Sequence, residues 1–313
     1  MTLGFQTIFI TIILGFLFQY VAQIIFLKYN IVDKVNKRSS HTNIATRSGG
    51  ISIFSAIFLI SLYYYFVGLE IYDFSFIVPL SLLLITGLYD DIYKMDFKLK
   101  FIFQIIAAKI MIDNGLIIDN LHGFLGINDL NRLIAQIITI FVIVAVINSI
   151  NFIDGIDGLA SSIIVMFIIL FEIFSNSLTP FYNLSLITIS ATLPLFYYNF
   201  RKQRKIFLGD AGSLFLGGIA STYIIFILTN DYIIKPKFDL HKLLYVIIIF
   251  LYPILDIIRV TLIRLYNGRS PFIADKNHIH HLLLKQFEGN HFYVTILILL
   301  ISSAIIAMTL IIF

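Results

Sequence analysis

Asn148, Asn151, Asp154 and Asp157 recur at three-residue intervals in NSINFIDGIDGLASS, and a glycine follows each aspartate. The spacing predicts that Asn148, Asn151 and Asp154 share one helical face. Amide and carboxylate oxygens in such an array suit Mg2+ or Mn2+, which take these donors together with phosphate and water. The glycines let backbone approach a ligand closely. The plainer alternative is an interhelical turn whose aspartate caps the next helix. A cap, however, needs one aspartate and no pair of asparagines.

Other segments carry the same kind of chemistry. Asp90 and Asp91 adjoin in GLYDDIYKMD at the predicted end of a helix. Two adjacent carboxylates repel, and each costs about 2.5–3.5 kcal/mol at the centre of a membrane helix. A divalent cation or a lysine relieves that repulsion; the alternative is a solvated loop start with Lys94 and Asp96 as partners. In FLGDAGS, Gly209 and Gly212 flank Asp210, and Ser213 is a candidate N-cap. The N–H groups of such a helix start suit phosphate, and Arg201, Lys202, Arg204 and Lys205 lie just upstream. His278, His280 and His281 follow Arg264 and Arg269. With no cysteine in the chain and with His280 adjacent to His281, anion binding is favoured over zinc. Lys100 and Gln104 share a face at a helix start, where Lys100 either snorkels to the interface or reaches into a site. His122, His241 and His291 stand alone and read as loop or interface residues.

The elements that position these groups are apolar. The 313-residue chain is 59% hydrophobic and 13% charged, outside the range of soluble domains. An all-α integral membrane protein of about ten transmembrane helices fits the length, as a single polytopic domain over residues 1–313. The apolar runs predict helices over 3–27, 49–67, 74–89, 101–118, 132–150, 159–175, 182–199, 213–229, 242–263 and 292–313. Residues 117–127 admit a short hairpin outside the membrane. The first run is too long for a signal peptide and reads as a retained helix. Lysine and arginine concentrate in 28–48, 90–100, 200–212 and 264–291, and the positive-inside rule makes that side cytoplasmic. All the chemical clusters fall on it, which suggests one site open to the cytosol. Acids at helix ends on one side, with no internal repeat, disfavour a transporter or ion channel. No nucleic-acid partner is expected, and a homodimer is left open.

Taken in order, KRSSHTNIATRSGG, LYDDIYKMDFKLKFIFQ, NSINFIDGIDGLASS, FLGDAGSLFLGG and RSPFIADKNHIHHLL resemble the polyprenyl-phosphate N-acetylhexosamine-1-phosphate transferases. Any one piece is weak; the ordered set spans residues 37–284 and is specific. The resemblance implies an enzyme of a bacterial cytoplasmic membrane, with its site facing the cytoplasm. It would join a UDP-N-acetylhexosamine to undecaprenyl phosphate, release UMP and start a cell-surface polysaccharide such as O-antigen or teichoic acid. It implies Mg2+, with Mn2+ as a substitute. By motif match, Asp90, Asp91 and Asp210 are catalytic, and Asn151 and Asp210 hold the metal. Arg38, His41, Arg47, Lys100, Asp154, Asp157, Phe207, Arg264, His278, His280 and His281 bind substrate, with Phe207 able to stack on uracil. HIHH resembles the WecA/TagO-like branch rather than MraY, which implies GlcNAc as donor sugar ahead of another HexNAc.

Overall fold

The computed structural model describes residues 2–33, 45–69, 71, 73–229, 232–235, 241–268 and 277–312. The chain is built of helices: α1 (Thr2–Lys28), α2 (Gly49–Val67), α3 (Ile77–Tyr93), α4 (Phe97–Asp113), α5 (Arg132–Ile153), α6 (Leu159–Phe174), α7 (Tyr182–Phe200), α8 (Gly209–Leu228), α9 (Lys242–Ile249), α10 (Leu251–Tyr266), α11 (Ile279–Gln286) and α12 (His291–Ile312). Among the described residues, six helices are long and apolar enough to cross a membrane, or seven if the bent pair α9–α10 forms one span.

α8 is the hub. Every residue from Ala211 to Leu228 is buried, and α8 packs most extensively on α3 and α5. A helix that is apolar on all sides belongs inside a bundle, and the small residues of GDAGSLFLGGIAS let backbones come close. The approach of α3 is tight: a Cβ on Gly87 would lie 2.3 Å from the Asp210 carbonyl oxygen. α1 instead turns Phe5, Phe9, Ile13, Leu17 and Ile24 outward, as a lipid-facing helix does.

Two short strands, β1 (Ala45–Thr46) and β2 (Lys205–Ile206), pair in parallel. The Phe207 N–H donates to the Thr46 carbonyl at 2.8 Å, and the Gly49 N–H to the Phe207 carbonyl at 3.0 Å. This ladder clamps the chain entering α2 against the chain entering α8, so Arg47 is carried to the start of α8.

Several expectations are revised in detail. α3 runs on through Asp90 and Asp91 to Tyr93, and Lys94 ends it in the left-handed conformation. α8 starts at Gly209, so Asp210 lies in its first turn and Ser213 one turn further on rather than at the cap. The expected helix over 242–263 breaks at Phe250, where α9 and α10 meet at 83°. Pro253 lies in the first turn of α10, where its missing N–H is tolerated. Where the sequence predicts a hairpin over 117–127, an isolated bridge pairs Asn120 with Asp129, which lies beyond that range, and the Leu121 N–H donates to the Asn128 carbonyl at 2.8 Å.

Candidate active site

Helix ends bring the acids together. Asp90 and Asp91 come from the last turn of α3, Lys100 from the first turn of α4, Asn151 from the last turn of α5, and Asp210 from the first turn of α8. Asp96 caps α4 by accepting the Lys98 N–H at 2.8 Å, which sets the register that turns Lys100 inward. The Lys100 ammonium then lies 2.8 Å from Asp90 Oδ2, 2.7 Å from Asp210 Oδ2 and 3.5 Å from Asn151 Oδ1. Asn151 Nδ2 donates to Asp210 Oδ1 at 3.1 Å and to the Ser213 hydroxyl at 2.8 Å. Its amide is thereby oriented with the oxygen on the lysine side.

Asp91 has a different position from Asp90. Its carboxylate accepts the backbone N–H of Asp210 at 3.1 Å and of Ala211 at 3.0 Å. The helix start expected to hold phosphate is therefore occupied by a carboxylate from α3. Gly209 reaches this arrangement at φ +74°, and a Cβ there would lie 2.7 Å from Asp91 Oδ2, so the position requires glycine. Arg47 completes the group, with Nη1 3.3 Å from Asp91 Oδ1 and Nη2 3.2 Å from Asp33 Oδ1. Asp33 carries no signal in the sequence; the isolated bridge between Asp33 and Ala45 brings it here.

The remaining residues of the Asn151 segment diverge from one another. α5 ends at Ile153, and Asp154 leaves the helix at ψ 43°, so the three-residue spacing no longer defines a face. Asn148 pairs with Gln104, donating to Gln104 Oε1 at 2.8 Å. The Asp157 carboxylate forms an ion pair with Lys205, and His291 Nδ1 lies 3.3 Å from it and accepts the Asp157 backbone N–H at 3.1 Å. Thr295 Oγ1 donates to the Asp157 carbonyl at 2.9 Å. Asp157 is buried, which alone raises a carboxyl, but His291 and Lys205 outweigh that and hold it below the usual range. His291, expected to be a loop or interface residue, ties the start of α12 to this turn.

A second cluster borders the first. His278 packs its ring on Phe152 at 5.8 Å, and His280 and His281 abut Gly155, where a Cβ would lie 2.4 Å from His280 Nε2. Burial, with His281 and His278 crowded beside it, pushes His280 well below the usual imidazole range. Arg264 is buried beside His278. Phe207 is half-buried at the ladder, three residues before Asp210. Arg38, His41, Arg269 and Lys276 lie outside the described residues.

The oxygen set fits a hard divalent cation. Asp90, Asp210 and Asn151 present two carboxylates and one amide around a point that a cationic group, the Lys100 ammonium, now holds. These are the donor types Mg2+ and Mn2+ take. Among the described residues, no group of three or more histidine, aspartate or glutamate side chains is arranged to hold a metal ion.

Comparison with known proteins agrees in extent and kind. Residues 73–228 match glycosyl transferase family 4. The chain is 38% identical over 273 residues to the undecaprenyl-phosphate alpha-N-acetylglucosaminyl 1-phosphate transferase of Pasteurella multocida, covering 82% of this chain and 72% of that one. It is 30% identical over 285 residues to the enzyme of the same name from Salmonella typhimurium, covering 86% and 73%. It is 30% identical over 292 residues to the decaprenyl-phosphate N-acetylglucosaminephosphotransferase of Mycolicibacterium smegmatis, covering 84% and 71%. Similarity of this depth across most of each chain means that the protein belongs to the polyprenyl-phosphate N-acetylglucosamine-1-phosphate transferases of glycosyl transferase family 4.

Proposed function

We propose that this protein transfers N-acetylglucosamine 1-phosphate from UDP-N-acetylglucosamine to undecaprenyl phosphate. A phosphate oxygen of the lipid bonds to the sugar-linked phosphorus, the bond from that phosphorus to the UMP oxygen breaks, and UMP leaves with the electron pair. The product is a lipid diphosphate sugar. One observation carries the reading: Asp90, Lys100, Asn151 and Asp210, from four helices, meet at one point.

Three phosphoryl groups gather in this reaction, so catalysis is chiefly positioning and neutralisation of charge. Lys100 and Arg47 supply cationic side chains beside the acids. Asp210 and Asn151, with Asp90, would hold Mg2+. A bound Mg2+ supplies Lewis-acid stabilisation of phosphoryl oxygens. Asp90, partly open and on the lysine side, orients the lipid phosphate and takes its proton if it arrives protonated. Asp91 keeps Asp210 in place. Arg38 and His41 extend the anion-binding side of the site, Arg264, His278, His280 and His281 border the nucleotide side, and Phe207 stacks on uracil.

The reading includes about ten spans, in which α4, α6 and α7 also cross the membrane. It puts the site on the cytoplasmic side of a bacterial inner membrane, supported by the lysine and arginine of the loops beside it. The test is direct. Purified protein with undecaprenyl phosphate, Mg2+ and UDP-N-acetylglucosamine releases UMP and forms a lipid-linked sugar. Absence of UMP from UDP-GlcNAc and from UDP-GalNAc alike rejects the proposal.

A further inference from the structure

α10 presents two buried side chains one turn apart, Tyr252 and Asp256, to the start of α11. The Tyr252 hydroxyl lies 3.2 Å from His280 Nδ1, and Asp256 Oδ2 lies 2.6 Å from His278 Nδ1. Asp256 Oδ1 also accepts the Ile279 N–H at 2.7 Å, one of the donors that a helix start leaves free. Asp256 is wholly buried, at 0% exposure, and His278 and Arg264 are buried with it.

These contacts have a direction. An ionised carboxylate only accepts hydrogen bonds, so His278 Nδ1 carries the proton that points at Asp256. Arg264 Nη2, which can only donate, lies 3.4 Å from Nε2 and so marks Nε2 as the acceptor. A neutral imidazole thus links a buried carboxylate to a buried guanidinium. The same imidazole touches Phe152, the neighbour of Asn151 at the end of α5.

We propose that Asp256 is a positioning residue for the transfer reaction. It fixes the His278 tautomer, and through His278 it holds Arg264 and the Asn151 end of α5 in the arrangement that binds the diphosphate of the nucleotide-sugar. The proposal rests on the transferase reading above. Its acceptor-side consequence is small, because His278 touches Arg264 and Phe152 rather than Asp90 or Lys100.

The full-length protein in lipid nanodiscs provides the test. Asp256→Asn is expected to raise KM for UDP-N-acetylglucosamine about tenfold, with KM for undecaprenyl phosphate unchanged. In a His278→Gln background, Asp256→Asn is expected to cost nothing further. Additive losses, or equal effects on both substrates, overturn the proposal. Nitrogen-15 histidine NMR adds a readout independent of turnover, with the His278 signal assigned by its loss in His278→Gln. The wild type is expected to show Nδ1 protonated and Nε2 bare; Nε2 protonated, or both, overturns the proposal even if Asp256→Asn fails to fold. Failure of the wild type to release UMP would instead refute the transferase reading and leave the tautomer result to decide the Asp256–His278 link.

Discussion

The carboxylate of Asp91 accepts the backbone N–H of Asp210, 119 residues later in the chain, at 3.1 Å. α8 has no side-chain cap of its own; α3 supplies it. A carboxylate is favoured there by the unpaired N–H groups and by the helix dipole. The two adjacent aspartates therefore have separate tasks. Asp91 is shut in, with its side chain 0% exposed, while the Asp90 side chain is 16% exposed and meets Lys100.

That separation predicts unlike phenotypes. Asp91→Ala removes a helix cap and leaves two buried N–H groups unpaired, so it should lower stability by about 1–2 kcal/mol and abolish UMP release. Asp90→Ala should abolish release with a clearly smaller loss of stability. Thermal unfolding in detergent, measured beside UMP release, separates them. Equal destabilisation by both would contradict the assignment.

Gly87 tests the same junction from the other side. A Cβ there meets the Asp210 carbonyl at 2.3 Å and Ala211 Cα at 2.5 Å. Those atoms are backbone and cannot rotate away. Gly87→Ala should cost about 1–3 kcal/mol by overpacking and, by moving Asp210, lower turnover about a hundredfold. A folded variant with full activity would show that α3 and α8 separate without cost to the site.

The acids of the site were legible because their surroundings are so apolar. DD, NFID and GDAG stand out between membrane-length runs, and glycines mark two of them as places of close approach. Partnerships were less legible. Asp157 shares its spacing with Asn151 and Asp154, but the helix ends at Ile153, and beyond that point periodicity says nothing about direction. Asp33, Tyr252, Asp256 and His291 each sit alone in sequence and acquire meaning only from another element. For Asp256 a signal did exist: a single carboxylate within the apolar run LYPILDIIRV is expected to face protein rather than lipid. The extent of α3 past Asp90 was hidden for the same reason, since the partners that make its last turn tolerable come from α4 and α8.

Lys100 and a divalent cation compete for the same oxygens. Lys100→Met leaves Asp90 and Asp210 facing each other without their ammonium. In EDTA the variant should unfold at a lower temperature than the wild type. Added Mg2+ should then stabilise it more than it stabilises the wild type, approaching about 2.7 kcal/mol at a hundredfold excess over Kd. Both proteins should lose UMP release in EDTA, and the wild type should regain it with Mg2+. Equal Mg2+ shifts in the two proteins would mean that the cation binds elsewhere.

Acid should destabilise the protein through His280 before it affects the buried carboxylate Asp157. Burial holds the His280 imidazole neutral, well below its ordinary value, whereas an unfolded histidine takes up a proton near pH 6.5. The unfolded chain thus binds more protons as pH falls below about 6.5, and stability declines there by up to about 1.4 kcal/mol per pH unit. Asp157 acts in a lower window: His291 and Lys205 hold its carboxyl low against burial, so its contribution is complete above about pH 4 and lost as pH drops through its folded value. Thermal unfolding of the wild type and of His280→Asn between about pH 7.5 and pH 2.5 distinguishes the two groups. The variant should lose the slope below about pH 6.5 and keep the Asp157 decline at lower pH; an unchanged slope would assign the proton uptake to another histidine.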